Sequence, residues 1–424
     1  MKKLYIRDIF TIFVMIFMTS PYFPWYGTSG NTFDISESNM ITSIVKYGIY
    51  FIIFCMLFSR LKHVLRVSAN NIFIWLVVIW TFASFFWSVD PTITLRKAAG
   101  LLGANLIGLY IASFYTVEKF LKIAGWSFLI INFLSIMTII FFPSQGIMLH
   151  PYGWEGIYDH KNNLGNISLM GITLFPVLLI NEKKHTPWII GFILSCILLI
   201  GSKSATSLVI SIFVLFIWTT LFAYQNKSKI LFIFLIWDFL MVFIWGIWIY
   251  FTNNIDAVFR LLGKDRTLTG RFEIWERVLS VIKRKPWLGY GFSAVWHGTD
   301  SGMGSYIMGR TYGVPAHAHN GFLDIHLEIG LIGVILVSIL LINILYKWLL
   351  IIKNSNQVKG YYFYPVVLLI SLILYNFTES VFLNPHKIFW VFIAVLSFML
   401  PSAHSGEFVH KIRYLSSSCR TEQR

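Results

Sequence analysis

Long apolar runs, each bounded by a short polar or Pro/Gly-rich segment, recur from one end of the chain to the other. Most are about 17–25 residues long, the length of a helix that crosses a bilayer. They predict about twelve transmembrane helices, over residues 8–24, 41–59, 71–87, 98–115, 122–142, 164–180, 188–201, 205–223, 230–251, 322–346, 361–377 and 388–403. The run 188–201 is short, and the GSKS turn at 201–204 leads straight into the next run. Backbone in such a turn has to be buried in protein or line a watery cavity, because lipid cannot satisfy it. One connection breaks the rhythm: residues 252–321, a length that in compact proteins usually carries function or structure of its own. Within it, RFEIWERVLSVIKRKP sets Phe272, Trp275, Val278 and Ile282 near helical spacing, which predicts an amphipathic helix along the membrane interface or capping the bundle. The expected fold class is an all-α polytopic membrane protein. Its parts are residues 1–251 (helices one to nine), 252–321 (the large outer loop) and 322–424 (helices ten to twelve and a tail).

Composition excludes the soluble alternatives. The chain is 57% hydrophobic and 12% charged, against about a quarter charged in an ordinary globular domain. The opening MKKLYIRD followed by an apolar run resembles a signal peptide, but no A-x-A site follows, so it reads as a retained first helix. The net charge of +15 fits orientation in the membrane and contact with anionic headgroups. Nucleic acid is excluded as a partner because no compact basic domain with interleaved aromatics is present. Alternate short connections hold 19 Lys/Arg on one side and five on the other, Arg96, Lys97, Lys161, Lys203 and Lys387. Basic connections stay in the cytoplasm, so both termini are expected there and residues 252–321 outside, which requires an even number of spans. Cys55, Cys196 and Cys419 have neither disulfide-framework nor zinc spacing.

Polar residues gather on the outer side in four clusters. They are Tyr158 to Asn163 (YDHKNN), Ser202 to Thr206 (SKSAT), residues 263–271 (GKDRTLTGR) and residues 315–320 (PAHAHN). Each contains a cation or a histidine, and the long loop holds nine Lys/Arg against five Asp/Glu. A membrane-embedded cavity of this kind attracts a phosphate or diphosphate. Blander roles exist for each: Lys203 as a snorkelling interfacial lysine, Arg271 as a salt-bridge residue, the Asn and Lys of DHKNN as helix caps. His317 and His319 supply two ligands where zinc needs at least three, so Asp159 or His160 would have to join them; the reading is no metal and no cofactor. No G-x-S-x-G, Walker, HExxH or DxD pattern occurs. An outer site has no cytosolic nucleotide donors, so its substrate must arrive activated, and lipid diphosphates fit.

The strings LGKDRTLTGRFEIWERVLSVIKRKPWLGYGFSAVW and AHAHNGFLDIHLEIGLIG resemble the O-antigen ligase/polymerase family of bacterial envelope enzymes. GIYDHKNNLG, SKSATSLV and TLTGR are closer in flavour to its exopolysaccharide-polymerase branch. The ligase pattern of His, small polar residue, nine residues, Gly, two residues, Gly is met by His319, Asn320, Gly330 and Gly333. The resemblance implies a glycosyltransferase of C-type architecture in the bacterial inner membrane. Its donor and acceptor would be undecaprenyl-diphosphate-linked glycans at the periplasmic face, without a metal, with a chain-length regulator as a further partner. It makes His319 the base that deprotonates the acceptor hydroxyl. Arg271, Lys203 and Arg266 would hold the diphosphate, and His317, Asn320, His160 and Lys161 would support the site. Ligases usually carry Arg where this chain has Lys203, which loses the bidentate fork. The expected activity is polymerisation of repeat units, with ligation of the glycan to lipid A-core or another acceptor as the near alternative. A secondary transporter is the remote alternative, since Lys46 and Asp238, the main intramembrane charges, form no evident repeat. Trp154, Trp275, Trp287 and Trp296 are available to stack on sugar rings or to sit at the interface.

Overall fold

The computed structural model describes residues 5–21, 40–149, 152–225, 271–296, 307, 317–354, 360–385 and 387–399. The expected span 230–251, Asp238, Arg266 and most of the third cluster lie outside the described residues. The described chain is helical: α1 (Ile6–Phe17), α2 (Met40–Phe58), α3 (Leu61–Ser68), α4 (Ile72–Ala83), α5 (Pro91–Phe114), α6 (Val117–Phe141), α7 (Pro143–Gly146), α8 (Lys161–Asn181), α9 (Thr186–Ser202), α10 (Ala205–Gln225), α11 (Arg271–Ile282), α12 (Gly321–Asn354), α13 (Tyr364–Asn376) and α14 (Ile388–Phe398). A two-stranded antiparallel hairpin, β1 (Ile147–Met148) and β2 (Gly153–Trp154), is folded into the connection before α8.

By length and apolarity, α5, α6, α8 and α12 can each cross a membrane; α2 and α3 meet at a bend of 103°, and α2 is apolar while α3 is short and basic. Shorter apolar helices at 72–87, 186–202, 205–221, 360–376 and 388–398 accompany them. The chain is therefore a multi-pass membrane protein. Local chemistry explains where helices differ from the hydropathy windows. α5 starts at Pro91 rather than near 98, because the Asp90 side chain accepts from Ile93 N at 3.0 Å and Pro91 suits the first helical position. The basic connection expected at 60–66 is itself helical; Val64 and Val67 of α3 turn inward while its cations face out.

α8 is the most enclosed span, 78% buried, packed by α6, α9, α10 and α13. α5 is similarly central among α2, α4 and α14, whereas α12 is only 39% buried and shows one side to lipid. α12 is not continuous. At Gly330 φ is 71°, and a Cβ there would sit 2.0 Å from the carbonyl oxygen of Trp287. Segment 286–291, from the long connection before α12, occupies this break. Leu331 N donates to Pro286 O at 2.8 Å, and Gly291 N donates to Glu328 O at 2.8 Å. Backbone groups released by the break are thus satisfied by the loop rather than left in apolar surroundings.

Candidate active site

Four polypeptide segments converge at the N-terminal end of α12, and Glu379 is their meeting point. This residue belongs to the connection after α13, is 8% exposed, and was not singled out from the sequence. Its Oε2 lies 3.1 Å from His319 Nδ1 and 3.9 Å from His317 Nε2. Its Oε1 accepts from Arg271 Nη2 at 3.1 Å and from Asn162 Nδ2 at 3.3 Å. Arg271 Nη1 also donates to the neighbouring Thr378 O at 2.8 Å, so its planar fork grips both the side chain and the backbone of this connection.

Each member is placed by its own element. His319 has a left-handed backbone, φ 51°, uncommon for a residue with a side chain. It is fixed from both sides. Ala318 N donates to Asp324 Oδ1 at 3.0 Å, Trp275 Nε1 donates to Ala318 O at 2.8 Å, and Asn320 Oδ1 caps α12 by accepting from Phe322 N at 3.1 Å. Asp324 also receives Trp296 Nε1 at 3.0 Å and the Ser380 hydroxyl, tying the histidine turn to the Glu379 connection. Gly321 lets that connection come close: a Cβ there would lie 2.1 Å from Asn376 Oδ1. Asn376 Oδ1 in turn accepts from Val381 N and Phe382 N, both at 3.1 Å.

The other expected residues fall into two groups. In the first, His160 caps α8, its Nδ1 accepting from Asn162 N at 3.1 Å, which turns Asn162 onto Glu379. Asp159 accepts from Asn163 Nδ2 at 2.7 Å, and Asn163 Oδ1 accepts from Lys387 Nζ at 2.6 Å. In the second, Lys203 takes the left-handed C-cap position of α9, φ 51°, with its ammonium 4.3 Å from the Tyr152 ring centroid. Lys161 Nζ donates to Tyr152 O at 3.4 Å. No hydrogen bond or ion pair among the described residues joins Lys203 to Glu379, His319 or Arg271. Of the tryptophans, Trp275 and Trp296 use their N–H groups to hold the site's backbone and side chains, while Trp287 is exposed. The amphipathic face of α11 also differs from the expected set: Val278 and Ile282 are buried, but Phe272 is 53% exposed.

Electrostatics sets the proton positions. Burial alone would raise the Glu379 carboxyl, but the hydrogen bond and charge of His319, with His317 and Arg271, outweigh it and bring the group down to about 2. Glu379 is therefore an acceptor, so the His319 Nδ1 facing it carries a proton. A ring that carries this one proton has its lone pair on Nε2, the arrangement a general base needs. Burial and the adjacent His319 push His317 down to about 3, so it is neutral. Its Nδ1 accepts from His319 N at 3.2 Å, which leaves its proton on Nε2. Burial also lowers Lys387, with Asp159 and Glu379 opposing the fall.

His317, His319 and Glu379 hold ligand-type atoms within 4.8 Å of one another, so the third member of any metal set is Glu379 rather than Asp159 or His160. The hydrogen-bond directions fit proton handling better. His317 has its Nδ1 lone pair engaged and its proton on Nε2, and the guanidinium on the same carboxylate repels a cation.

Residues 190–338 match a family model described as O-Antigen ligase. An exopolysaccharide production protein of Rhizobium meliloti is 26% identical over 300 residues, 66% of this chain and 66% of that protein. A ComP-specific O-oligosaccharyltransferase of Acinetobacter baylyi is 26% identical over 332 residues, 74% of this chain and 58% of that protein. A putative polysaccharide ligase of Rickettsia felis is 34% identical over 124 residues, 28% of this chain and 30% of that protein. The matches thus span less than two thirds of these relatives' own lengths. His319 lies inside the matched region and its partner Glu379 beyond it; over residues 190–338 the chain is similar to the O-antigen ligase family that its motifs resemble.

Proposed function

We propose that this protein polymerises undecaprenyl-diphosphate-linked oligosaccharide repeat units at the periplasmic face of the bacterial inner membrane. The observation that carries the reading is the 3.1 Å contact between His319 Nδ1 and Glu379 Oε2, which orients the imidazole and leaves Nε2 as base. In the reaction, Nε2 takes the proton of an acceptor sugar hydroxyl, and the oxygen attacks the anomeric carbon of the donor. The bond from that carbon to the lipid diphosphate breaks, and the diphosphate leaves with its electron pair. Glu379 stabilises the imidazolium without taking its proton, as the carboxylate does in other histidine-based sites. The leaving group is already a good one, so cations suffice to stabilise it. Arg271, which shares the Glu379 carboxylate with the base, takes this role, with Lys203 and Arg266 as further diphosphate ligands. Arg271 exchanges Glu379 for the diphosphate when donor enters, since its fork can bind the oxygens of either anion through paired N–H···O bonds.

A second reading, transfer of the glycan to lipid A-core or another acceptor, is favoured by the description of the matched family and by the ligase names among the relatives. One reconstitution separates them. Purified protein in proteoliposomes is given a lipid-diphosphate-linked repeat unit alone. A ladder of lengthening lipid-linked chains supports polymerisation; transfer that needs an added non-prenyl acceptor supports ligation. Chelation of divalent metal should leave either activity unchanged, and its loss would transfer the role of the His317, His319 and Glu379 trio to a metal ion.

A further inference from the structure

The connection between α13 and α14 brings a carboxylate and an ammonium to the first turn of α8, and the reaction above uses only the carboxylate. Glu379 Oε1 accepts from Asn162 Nδ2 at 3.3 Å. Further along, Lys387 Nζ donates to the Oδ1 of the next residue, Asn163, at 2.6 Å. Adjacent asparagines thus hold both charged residues of one connection. Its course between them is fixed. Leu383 takes a left-handed backbone, φ 55°, and Pro385 packs on α5, where a Cβ on Gly100 would lie 3.1 Å from Pro385 Cβ. A strained backbone of that kind persists only where surrounding structure over-determines it. Lys387 then stands at the N-cap of the wholly buried α14, with Trp390 N donating to Lys387 O at 3.3 Å. Helix stability does not account for a lysine at this place. A cation there opposes the helix dipole, and the Lys387 side chain makes no capping bond. It is half-buried, and its partner, the Asn163 amide oxygen, is neutral. No carboxylate among the described residues forms an ion pair with it, whereas Arg271 is paired with Glu379. An ammonium has three N–H donors, and Asn163 takes one. Burial disfavours its charged form, which an anion in contact would restore.

We propose that Lys387 is a ligand of the donor's diphosphate, binding it together with Arg271. The proposal rests on the lipid-diphosphate reading above. Such a diphosphate, esterified at both ends, is a dianion, while Arg271 supplies a single positive charge. Both cations meet the first turn of α8 at adjacent residues: Arg271 shares Glu379 Oε1 with Asn162, and Lys387 is held by Asn163. Asn163 Nδ2 in turn donates to Asp159 Oδ1 at 2.7 Å, which keeps the amide oxygen on the Lys387 side. The ammonium is therefore held in place before substrate arrives. As the bond to the anomeric carbon breaks, negative charge grows on the diphosphate. A half-buried cation fixed beside it stabilises that charge more than an exposed one would.

The test is binding of farnesyl diphosphate to the full-length protein in nanodiscs of zwitterionic lipid. Lys387→Met should weaken it about tenfold or more, the size of one lost charge-assisted contact, and Lys387→Arg should retain most of it. Arg271→Ala should weaken the same binding event, and the double variant should bind more weakly than either. A measurement on the wild type removes any dependence on how the variants fold: farnesyl diphosphate should protect Lys387 from acetylation by acetic anhydride, read by mass spectrometry. Unchanged affinity in Lys387→Met overturns the proposal, and so does undiminished acetylation of Lys387 at saturating probe. Glucuronate is the comparison anion. If it protects Lys387 and farnesyl diphosphate does not, the ammonium serves an acidic sugar and the diphosphate assignment falls. Chain extension is scored separately on the same preparations. Lys387-dependent binding without extension removes the polymerase reading but not this contact, while extension with Lys387-independent binding removes the contact but not the reading.

Discussion

His319 occupies a backbone conformation that costs a residue with a side chain on the order of 1–3 kcal/mol and is usually kept only where surrounding structure over-determines it. Asn tolerates positive φ better than most residues, so His319→Asn removes the base while sparing the turn. It should abolish chain growth while lipid-linked units accumulate, with the thermal unfolding midpoint close to wild type. Glu379→Gln should lower turnover by about two orders of magnitude, the scale of a general-base contribution, with smaller change in substrate binding. Arg271→Ala should lose about 1.5–3 kcal/mol of transition-state stabilisation, and Arg271→Lys should recover only part of it. Steady-state rates in proteoliposomes check all three. Acid should destabilise the site. His317 is held at about 3 against an ordinary 6.5, and Glu379 at about 2 against 4.5, so in both windows the unfolded chain binds more protons than the folded one. Stability therefore rises with pH, from about 2 for Glu379 and from about 3 to 6.5 for His317. His317→Asn, whose amide oxygen can still accept from His319 N, should flatten the upper part of that dependence in a pH series of thermal unfolding. Glu379 escaped the sequence reading because it pairs with residues 60 and 108 positions away. A signal was present all the same: it is the only carboxylate between Glu328 and Glu407, in a stretch otherwise nearly free of acids.

Among the elements, the apolar runs located most of the described helices to within a few residues, because lipid demands that every backbone group be satisfied within the segment. Its failures have local causes. The Asp90–Pro91 cap lengthened α5 at its start, and amphipathic α3 looked like a basic loop because hydropathy windows average over its Val64 and Val67. The break in α12 was invisible for another reason. Gly330 and Gly333 were noted as a motif, but only the tertiary docking of segment 286–291 shows why the first must lack a Cβ. Gly330→Ala should cost about 1–3 kcal/mol from backbone strain alone, because φ 71° with ψ −176° is a region adopted almost only by glycine. The clash with Trp287 O adds to that. Gly333→Ala, at a helical position whose added Cβ meets only the Ile329 side chain, should cost less. Thermal unfolding of the two variants in one detergent compares them directly.

At the scale of the molecule, the 19-to-5 distribution of basic residues makes a topological statement that labelling can check. A cysteine at Gly298 should react with an impermeant reagent on intact spheroplasts, and one at Lys229 only after lysis. Reversal of that pattern would put the diphosphate on the wrong side of the membrane for the proposed donor. The interrupted α12 has a mechanical consequence as well. Its outer portion is secured to the loop by 286–291 and to the Glu379 connection by Asp324, while its inner portion runs on through the bilayer to Asn354. A change in hydrocarbon thickness is met by tilting of spans, and a jointed span can tilt below the joint without carrying its upper end along. The base should therefore hold its register on Glu379 across membranes of unequal thickness. Turnover in proteoliposomes of increasing acyl length should vary little for the wild type. Gly330→Ala, whose Cβ would push segment 286–291 off the joint and loosen the upper end of the helix, should make the same series steep.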